Sequence, residues 1–401
     1  MSVFLDGARI VGVHTTAVGR SLHPRTGFSL ALESLLGALD DAGMTIGEVD
    51  CVYASTSGWP AGSPPFPEAF WAKQIGRPLR WGGSMFGIPA VLDAAAAITA
   101  GLIDTAAVVV GNCRVPDAGA TAVWTRPEHE FTAWSGSFTS VQYGLAAQRY
   151  IHEYGDKALH AMGRASATIR NYGSIHPGAI YEGRGPFTAA DVLASRPIAS
   201  PLTLLMCSAV NDGGHALIMT RTDRAADTPK APISVLAGAN QRPYPSYFEA
   251  PVLDAVPNEG AFVTEAMRRA GITHQDIDVV QLYDHFAIGV LMEFEMYGFC
   301  KPGEAADFVE SGVMELNGRY PTCTDGGLQS YSHNGKPSLY RVIEGVRQLR
   351  NEVPDRCPNW ADGEHSHTDG VCRAVRDART AFVTNPGPPT GGGAFAVLRR
   401  S

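Results

Sequence analysis

The sequence predicts a layered α/β fold written as two related halves with an insertion between them, and three observations carry that expectation. Ala42-Gly43-Met44-Thr45-Ile46-Gly47-Glu48-Val49-Asp50-Cys51-Val52 recurs 228 residues later as Ala270-Gly271-Ile272-Thr273-His274-Gln275-Asp276-Ile277-Asp278-Val279-Val280, with five of eleven positions identical. The strands after each copy are near-continuous apolar runs, as strands covered on both faces are. The chain has 401 residues, 45% of them hydrophobic, which is enough for one large core or two fused ones.

In chain order, Leu30, Leu32, Leu35, Leu36 and Leu39 give a helical period that Gly43 stops. A Gly-rich turn at Gly82-Gly83-Ser84, a helix through Ala94–Ala100 and a strand at Ala106–Val110 complete the first half. From Arg114 to Pro201 the chain is rich in Gly, Trp, Tyr and Arg, with one clear helical stretch at Leu145–Ala167. A connection of that length is expected to cover a site. The second half repeats the order: Ala261, Phe262, Ala266 and Met267 on a helix, Gly271 as its stop, Gly326-Gly327, a helix at Leu339–Leu349 and a strand at Thr380–Thr384. The expected units are 1–113 with 202–225, the insertion 114–201, and 226–401, in which the polar stretch 351–376 reads as a surface excursion.

A net charge of −8 and a pI near 5.8 provide no broad positive field for nucleic acid or anionic lipid. Met1–Arg9 lacks the pattern of a secretory signal, and the apolar run Ile88–Gly111 is interrupted by Asp93 and Asp104, so it reads as buried helix plus strand rather than a membrane span. Seven scattered cysteines suggest reduced thiols and a cytoplasmic protein. Cys357, His365, His367 and Cys372 form the only Cys/His cluster, and their spacing fits no standard zinc site, so no metal is expected.

Several motifs together resemble the thiolase superfamily, in particular its sterol-carrier-protein thiolases and thiolase-like lipid-transfer proteins. They are Ile10-Val11-Gly12-Val13 with Gly19-Arg20, Pro201–Cys207 with Asn211-Asp212-Gly213-Gly214-His215-Ala216, Leu282-Tyr283-Asp284-His285-Phe286, Tyr297-Gly298-Phe299-Cys300, and Gly326-Gly327-Leu328 with Val346–Arg350. The resemblance spans nearly the whole chain and implies a thiolase-like five-layered αβαβα fold with two pseudo-twofold-related halves and a cap.

It also marks a departure. Thiolases place a nucleophilic cysteine at the start of the first-half helix, where the helix end stabilises a thiolate. Aligned on Gly87 and Ala90, that position here is Ser84, and Asn385–Gly393 lacks the second catalytic cysteine of the family. Where sterol-carrier thiolases carry His-Asp-Cys-Phe, this chain has Tyr283-Asp284-His285-Phe286, and the histidine of the family's Gly-His-Pro motif is matched by His333 without its flanking Gly and Pro. The pattern is most similar to the cysteine-free steroid side-chain aldolases, which carry one tyrosine at the Tyr283 position and another just after the Gly-Gly loop, here Tyr331.

The resemblance therefore implies retro-aldol cleavage of a bulky, steroid-type β-hydroxyacyl-CoA. Tyr283 and Tyr331 would be acid and base in an order left open, with Asp284, His285 and His333 tuning them. Ser84, Gly327 and Gly392 would line the pocket floor around the thioester oxygen. No tightly bound cofactor is implied, CoA entering as part of the substrate; a homodimer and a small OB-fold, zinc-ribbon or hydratase partner are. Plainer readings stand beside these: Tyr283 ends an apolar run and could be a core tyrosine, Ser84 could be a helix cap, and His285 and His333 could be ordinary loop residues. Two other functions remain open, an acyltransferase using Ser84 or a relocated cysteine such as Cys113, and a non-catalytic acyl-CoA or lipid carrier.

Overall fold

The computed structural model describes residues 5–56, 67–83, 87–113, 139–241, 260–334, 338–353, 372–387 and 392–400. The chain opens with β1 (Ala8–Thr15) and α1 (Gly27–Ala42). Thr26 caps α1 by accepting from Ser29 N, and Gly43, at φ 65°, ends it with its N–H on the Asp40 and Leu39 carbonyls. β2 (Cys51–Thr56), α2 (Pro67–Ile75) and β3 (Trp81–Gly83) follow. The run Ile88–Gly111 then divides as expected into α3 (Ile88–Thr99) and β4 (Thr105–Asn112).

Next come α4 (Thr139–Tyr154), α5 (Lys157–Ser174) and α6 (Ala189–Ala194), then a small ribbon of β5 (Pro197–Ala199) and β6 (Leu202–Thr203). The single helical stretch predicted over Leu145–Ala167 is thus two helices. Gly155, at φ 84°, closes α4 on the Ile151 carbonyl and reverses the chain before α5 begins. β7 (Gly213–Arg221) and α7 (Thr222–Ala225) return the chain to the first half, and the second half consists of β8 (Ile233–Gln241), α8 (Ala261–Ala270), β9 (Val279–Gln281), α9 (Ala287–Met296) and α10 (Ala305–Glu310). A π-helical turn at Gly327–Tyr331, α11 (Ser338–Arg350), β10 (Thr380–Thr384) and β11 (Gly393–Arg400) complete it.

Nine strands form one sheet in the order β3-β2-β4-β7-β1-β8-β11-β10-β9. Its midline is the antiparallel seam between β1 and β8, where Arg9 faces Ser234 and Ile10 faces Ile233. Outward from that seam both sides read alike. β1 pairs antiparallel with β7, β7 antiparallel with β4, and β4 parallel with β2, while β8 pairs antiparallel with β11, β11 antiparallel with β10, and β10 parallel with β9. A single parallel bridge, Val280 to Thr322, stands where β3 stands on the first side. The repeat in the sequence is therefore a repeat in topology, with α1 and α8 before β2 and β9, and α3 and α11 before β4 and β10.

Side-chain alternation assigns the layers. In β4, Ala106, Val108 and Val110 join one core while Ala107 and Val109 join another; in β11, Ala394, Ala396 and Leu398 join the first while Phe395 and Val397 face a third. The shared core also holds Ile88, Val91 and Ala94 of α3 with Leu339, Val342 and Val346 of α11. Two helices are thus sandwiched between the inner faces of the two sheet halves. α1 covers one outer face, with Leu30, Leu35 and Leu39 buried. α8, α9 and the α4–α5 pair cover the other. The result is the thiolase-like five-layered α/β architecture, and among the described residues no helix is long and apolar enough to cross a membrane.

The stretch 351–376 departs from its surface reading at its end. Residues 354–371 lie outside those described, but Cys372, Arg373 and Ala374 are buried. Arg373 reaches the equally buried Glu344 of α11 at 3.1 Å, and Gln348 holds the segment by donating to the Arg373 carbonyl and accepting from Val375 N.

Candidate active site

The corner between β9 and α9 carries Tyr283-Asp284-His285-Phe286. Tyr283 is only 7% exposed, and its N–H is shared between Glu293 Oε2 at 3.0 Å and Thr384 Oγ1 at 2.8 Å. Asp284 is fully buried and faces the π turn: Oδ1 accepts from Leu328 N at 2.8 Å, Oδ2 from Gln329 N at 3.2 Å, and its carbonyl from Gln329 Nε2. Burial raises its carboxyl to about 6, with Arg341 and the two backbone donors opposing the shift. Asp284 is accordingly the clamp of the turn that presents Tyr331.

His285 places Nδ1 3.3 Å from the Tyr283 carbonyl, which makes that nitrogen the ring's donor and leaves Nε2 with a lone pair. Burial and the neighbouring His333 push its pKa down to about 3, so the imidazole is neutral at physiological pH. Its ring lies 4.7 Å from that of Tyr283 and 6.4 Å from that of His333, nearly parallel to the latter; Tyr283 and His333 are 6.5 Å apart. Tyr143 of α4 closes the group from behind, 4.3 Å from His285 and stacked on Phe286. His333 is positioned by its backbone, whose N–H donates to Asn211 Oδ1 at 2.6 Å, and by a bridge to Val210.

Tyr331 sits in an adjoining cluster. Its ring is 4.4 Å from His176 and 5.3 Å from Tyr340, and Tyr340 is 3.9 Å from His215. Burial raises the phenol, while the Arg347 guanidinium and a hydrogen bond from Thr15 oppose it. His176 is pushed down to about 3 by burial. The stretch Ser332-His333-Asn334 joins the clusters, with Asn211 Nδ2 donating to Ser332 Oγ and Asn334 Nδ2 to the Tyr340 hydroxyl. Ring contacts thus bring Tyr283, His285 and His333 together, whereas those of Tyr331 are made with His176 and Tyr340.

The expected pocket-floor residues fare differently. Ser84 lies outside the described residues. At the start of α3, Gly87 has φ 63° and packs where a Cβ would meet Ser338 Oγ at 2.0 Å and Asn385 Oδ1 at 2.6 Å, so the N-terminus of α3 lies against α11 and the Asn385 turn. Gly327 is no free donor for an oxyanion, because its N–H is bound to Asp325 Oδ1 at 2.8 Å. A Cβ there would stand 2.0 Å from Asp284 Oδ2, so this glycine makes room for the clamp. Gly392 is buried just before β11.

Cys113 donates to Asp212 Oδ2 at 3.4 Å, and burial with that carboxylate raises its thiol to about 11, the opposite of an activated nucleophile. Among the described residues no group of three or more His, Cys, Asp or Glu is placed to hold a metal; Cys357, His365 and His367 lie outside them, and Cys372 packs with Tyr172 and Leu316.

Two further buried charges support the site without standing in any of the motifs: Glu293, whose carboxyl accepts from Tyr283 N, and Arg170. The Arg170 guanidinium donates to the carbonyls of Leu204, Leu205, Cys207 and Gln329, fastening α5 to the Leu204–Cys207 segment and the π turn. A charge inside an otherwise apolar helix marks each as a buried ion, but not which groups it binds.

Residues 256–398 match the family described as thiolase C-terminal domain-like. The steroid side-chain-cleaving aldolase of Thermomonospora curvata is 30% identical over 377 residues, covering 86% of this chain and 92% of that protein. The chain belongs to the aldolase branch of the thiolase superfamily. The 17-hydroxy-3-oxo-4-pregnene-20-carboxyl-CoA lyase of Mycobacterium tuberculosis is 31% identical, covering 86% of this chain and 91% of that enzyme. A solved structure described as "Ltp2-ChsH2(DUF35) aldolase" superposes with a TM-score of 0.82 at 26% identity, spanning 100% of this chain and 99% of that one. This thiolase-fold member is therefore a carbon–carbon lyase.

Proposed function

We propose that the chain cleaves a bulky, steroid-type β-hydroxyacyl-CoA by a retro-aldol reaction, releasing a ketone and a short acyl-CoA. The observation that carries this reading is the Tyr283–His285–His333 ring cluster beside a second buried phenol, Tyr331, in a chain similar over most of its length to two enzymes named for such cleavage.

A base takes the proton of the β-hydroxyl; the oxygen's electron pair forms the ketone as the bond between the α- and β-carbons breaks. The electrons of that bond pass to the thioester as an enolate, which takes a proton at the α-carbon. Tyr283 and Tyr331 supply base and acid between them. His333 donates to the thioester oxygen, where one well-placed donor is worth about 3 kcal/mol. Neutral His285 supports the Tyr283 phenol through its ring contact without adding a charge. CoA is part of the substrate. A second copy of the chain and a small OB-fold or zinc-ribbon subunit belong to the same proposal; the two components named in the similar aldolase structure support a partner subunit.

The test is turnover of a tertiary β-hydroxyacyl-CoA by the chain, alone and with that subunit. Ketone and short acyl-CoA should appear in equal amounts, and Tyr283→Phe should lower kcat by at least roughly 100-fold with the fold intact. Binding of the thioester without release under both conditions would make the chain a carrier.

A further inference from the structure

α9 is buried along its whole length, yet it holds two carboxyl groups, Glu293 and Glu295. Glu295 faces α4 and α10: its Oε1 accepts from the Tyr150 hydroxyl, Gly303 N and Ala305 N, which accounts for it as a brace of the loop into α10. Glu293 faces the other way, toward the β9–α9 corner. Its Oε2 accepts from Tyr283 N at 3.0 Å and Thr384 Oγ1 at 2.7 Å, and its Oε1 from Gly387 N at 3.2 Å. One side chain thus joins two segments distant in sequence: the corner bearing Tyr283, and the end of β10 with the Asn385–Gly387 turn that follows it and touches the start of α3 through Asn385. Gly387 lets this happen, since a Cβ there would sit 3.0 Å from Glu293 Cγ.

We propose that Glu293 is the positioning residue for the Tyr283 phenol, locking the corner that carries it to the Asn385–Gly387 turn. This rests on the reading that Tyr283 transfers a proton. Two of the three donors are backbone N–H groups, one at each carboxyl oxygen, so the site requires an acceptor on both sides. Glutamine offers one acceptor and one amide NH2, and whichever way it turns it sets a donor against Tyr283 N–H or Gly387 N–H. Burial raises the Glu293 carboxyl to about 8, and the Thr384 hydroxyl can donate or accept, so both backbone bonds survive in either protonation state.

The experiment uses the full chain with 3-fluorotyrosine introduced at position 283, read by 19F NMR, together with steady-state turnover. Glu293→Gln should shift or broaden the fluorine resonance and lower kcat roughly 10- to 100-fold with KM changed little, because a displacement of about 1 Å costs that much. Thr384→Val, which removes the hydroxyl that donates to Glu293 and shares the Tyr283 N–H but leaves the carboxyl on both backbone donors, should act in the same direction and less strongly, and it covers the case in which Glu293→Gln does not fold. Combined with Tyr283→Phe, Glu293→Gln should lower the residual kcat no further. An unmoved fluorine resonance in both variants, or the same fold loss in the Tyr283→Phe background, overturns the proposal. Full turnover by Tyr283→Phe alone defeats instead the reading of Tyr283 as proton carrier, and the fluorine signal still decides whether Glu293 positions its ring.

Discussion

Burial raises the phenol of Tyr331, and the guanidinium of Arg347 is the main influence opposing it. Arg347 also donates to Thr15 Oγ1 at 3.0 Å, the hydroxyl that in turn serves Tyr331. Arg347→Met should therefore move the limb of the rate profile set by Tyr331 to higher pH and lower kcat at neutral pH, a shift read from kcat measured across the alkaline range. Tyr283, Tyr331, His285 and His333 could be singled out from the sequence because each stands within a motif. Glu293 could not, since its partners Thr384 and Gly387 lie more than ninety residues downstream and nothing local reveals that three donors converge on it. His176 was likewise hidden, its meaning resting on a ring contact across 155 residues.

Among the elements, the π turn at Gly327–Tyr331 owes its shape to a residue outside it. Gly326 and Gly327 have φ of 94° and 60°, and Asp284 accepts the N–H groups of Leu328 and Gln329. Gly327→Ala should both strain the backbone and strike the Asp284 carboxylate, costing about 3 kcal/mol of stability and most of the activity; a urea midpoint equal to that of the parent would contradict this. The helices and strands of the two halves were legible because amphipathic period and glycine stops are local signals. The break at Gly155 has no local signature, because helical period continues on both sides of it. The π turn was illegible because its clamp comes from the preceding strand end, 44 residues away from Leu328.

For the molecule as a whole, the same buried groups set a pH optimum for stability. His176 and His285 have pKa values near 3 in the folded chain against 6.5 for the free group, so the unfolded state binds more protons between those values and stability rises with pH up to about 6.5. Asp284 and Glu293 are shifted the other way, to about 6 and about 8; the folded state holds their protons longer, and stability falls as pH rises through those values. Between pH 6.5 and 8, Glu293 is the one of these four still titrating. Unfolding free energies from urea titrations should decline across that window with a slope approaching about 1.4 kcal/mol per pH unit, and Glu293→Gln should flatten it. The duplicated topology was readable from eleven repeated residues. The β1–β8 seam that fuses the halves rests on two residue pairs with no signature in the sequence.

Proton transfer without covalent capture of the acyl group is the chemistry on which the functional reading turns. Mass spectrometry of the intact protein, quenched while a tertiary β-hydroxyacyl-CoA is being consumed, tests it most directly. The expected result is an unmodified protein mass throughout, with ketone accumulating. An acyl adduct that forms and decays at the rate of turnover would contradict it.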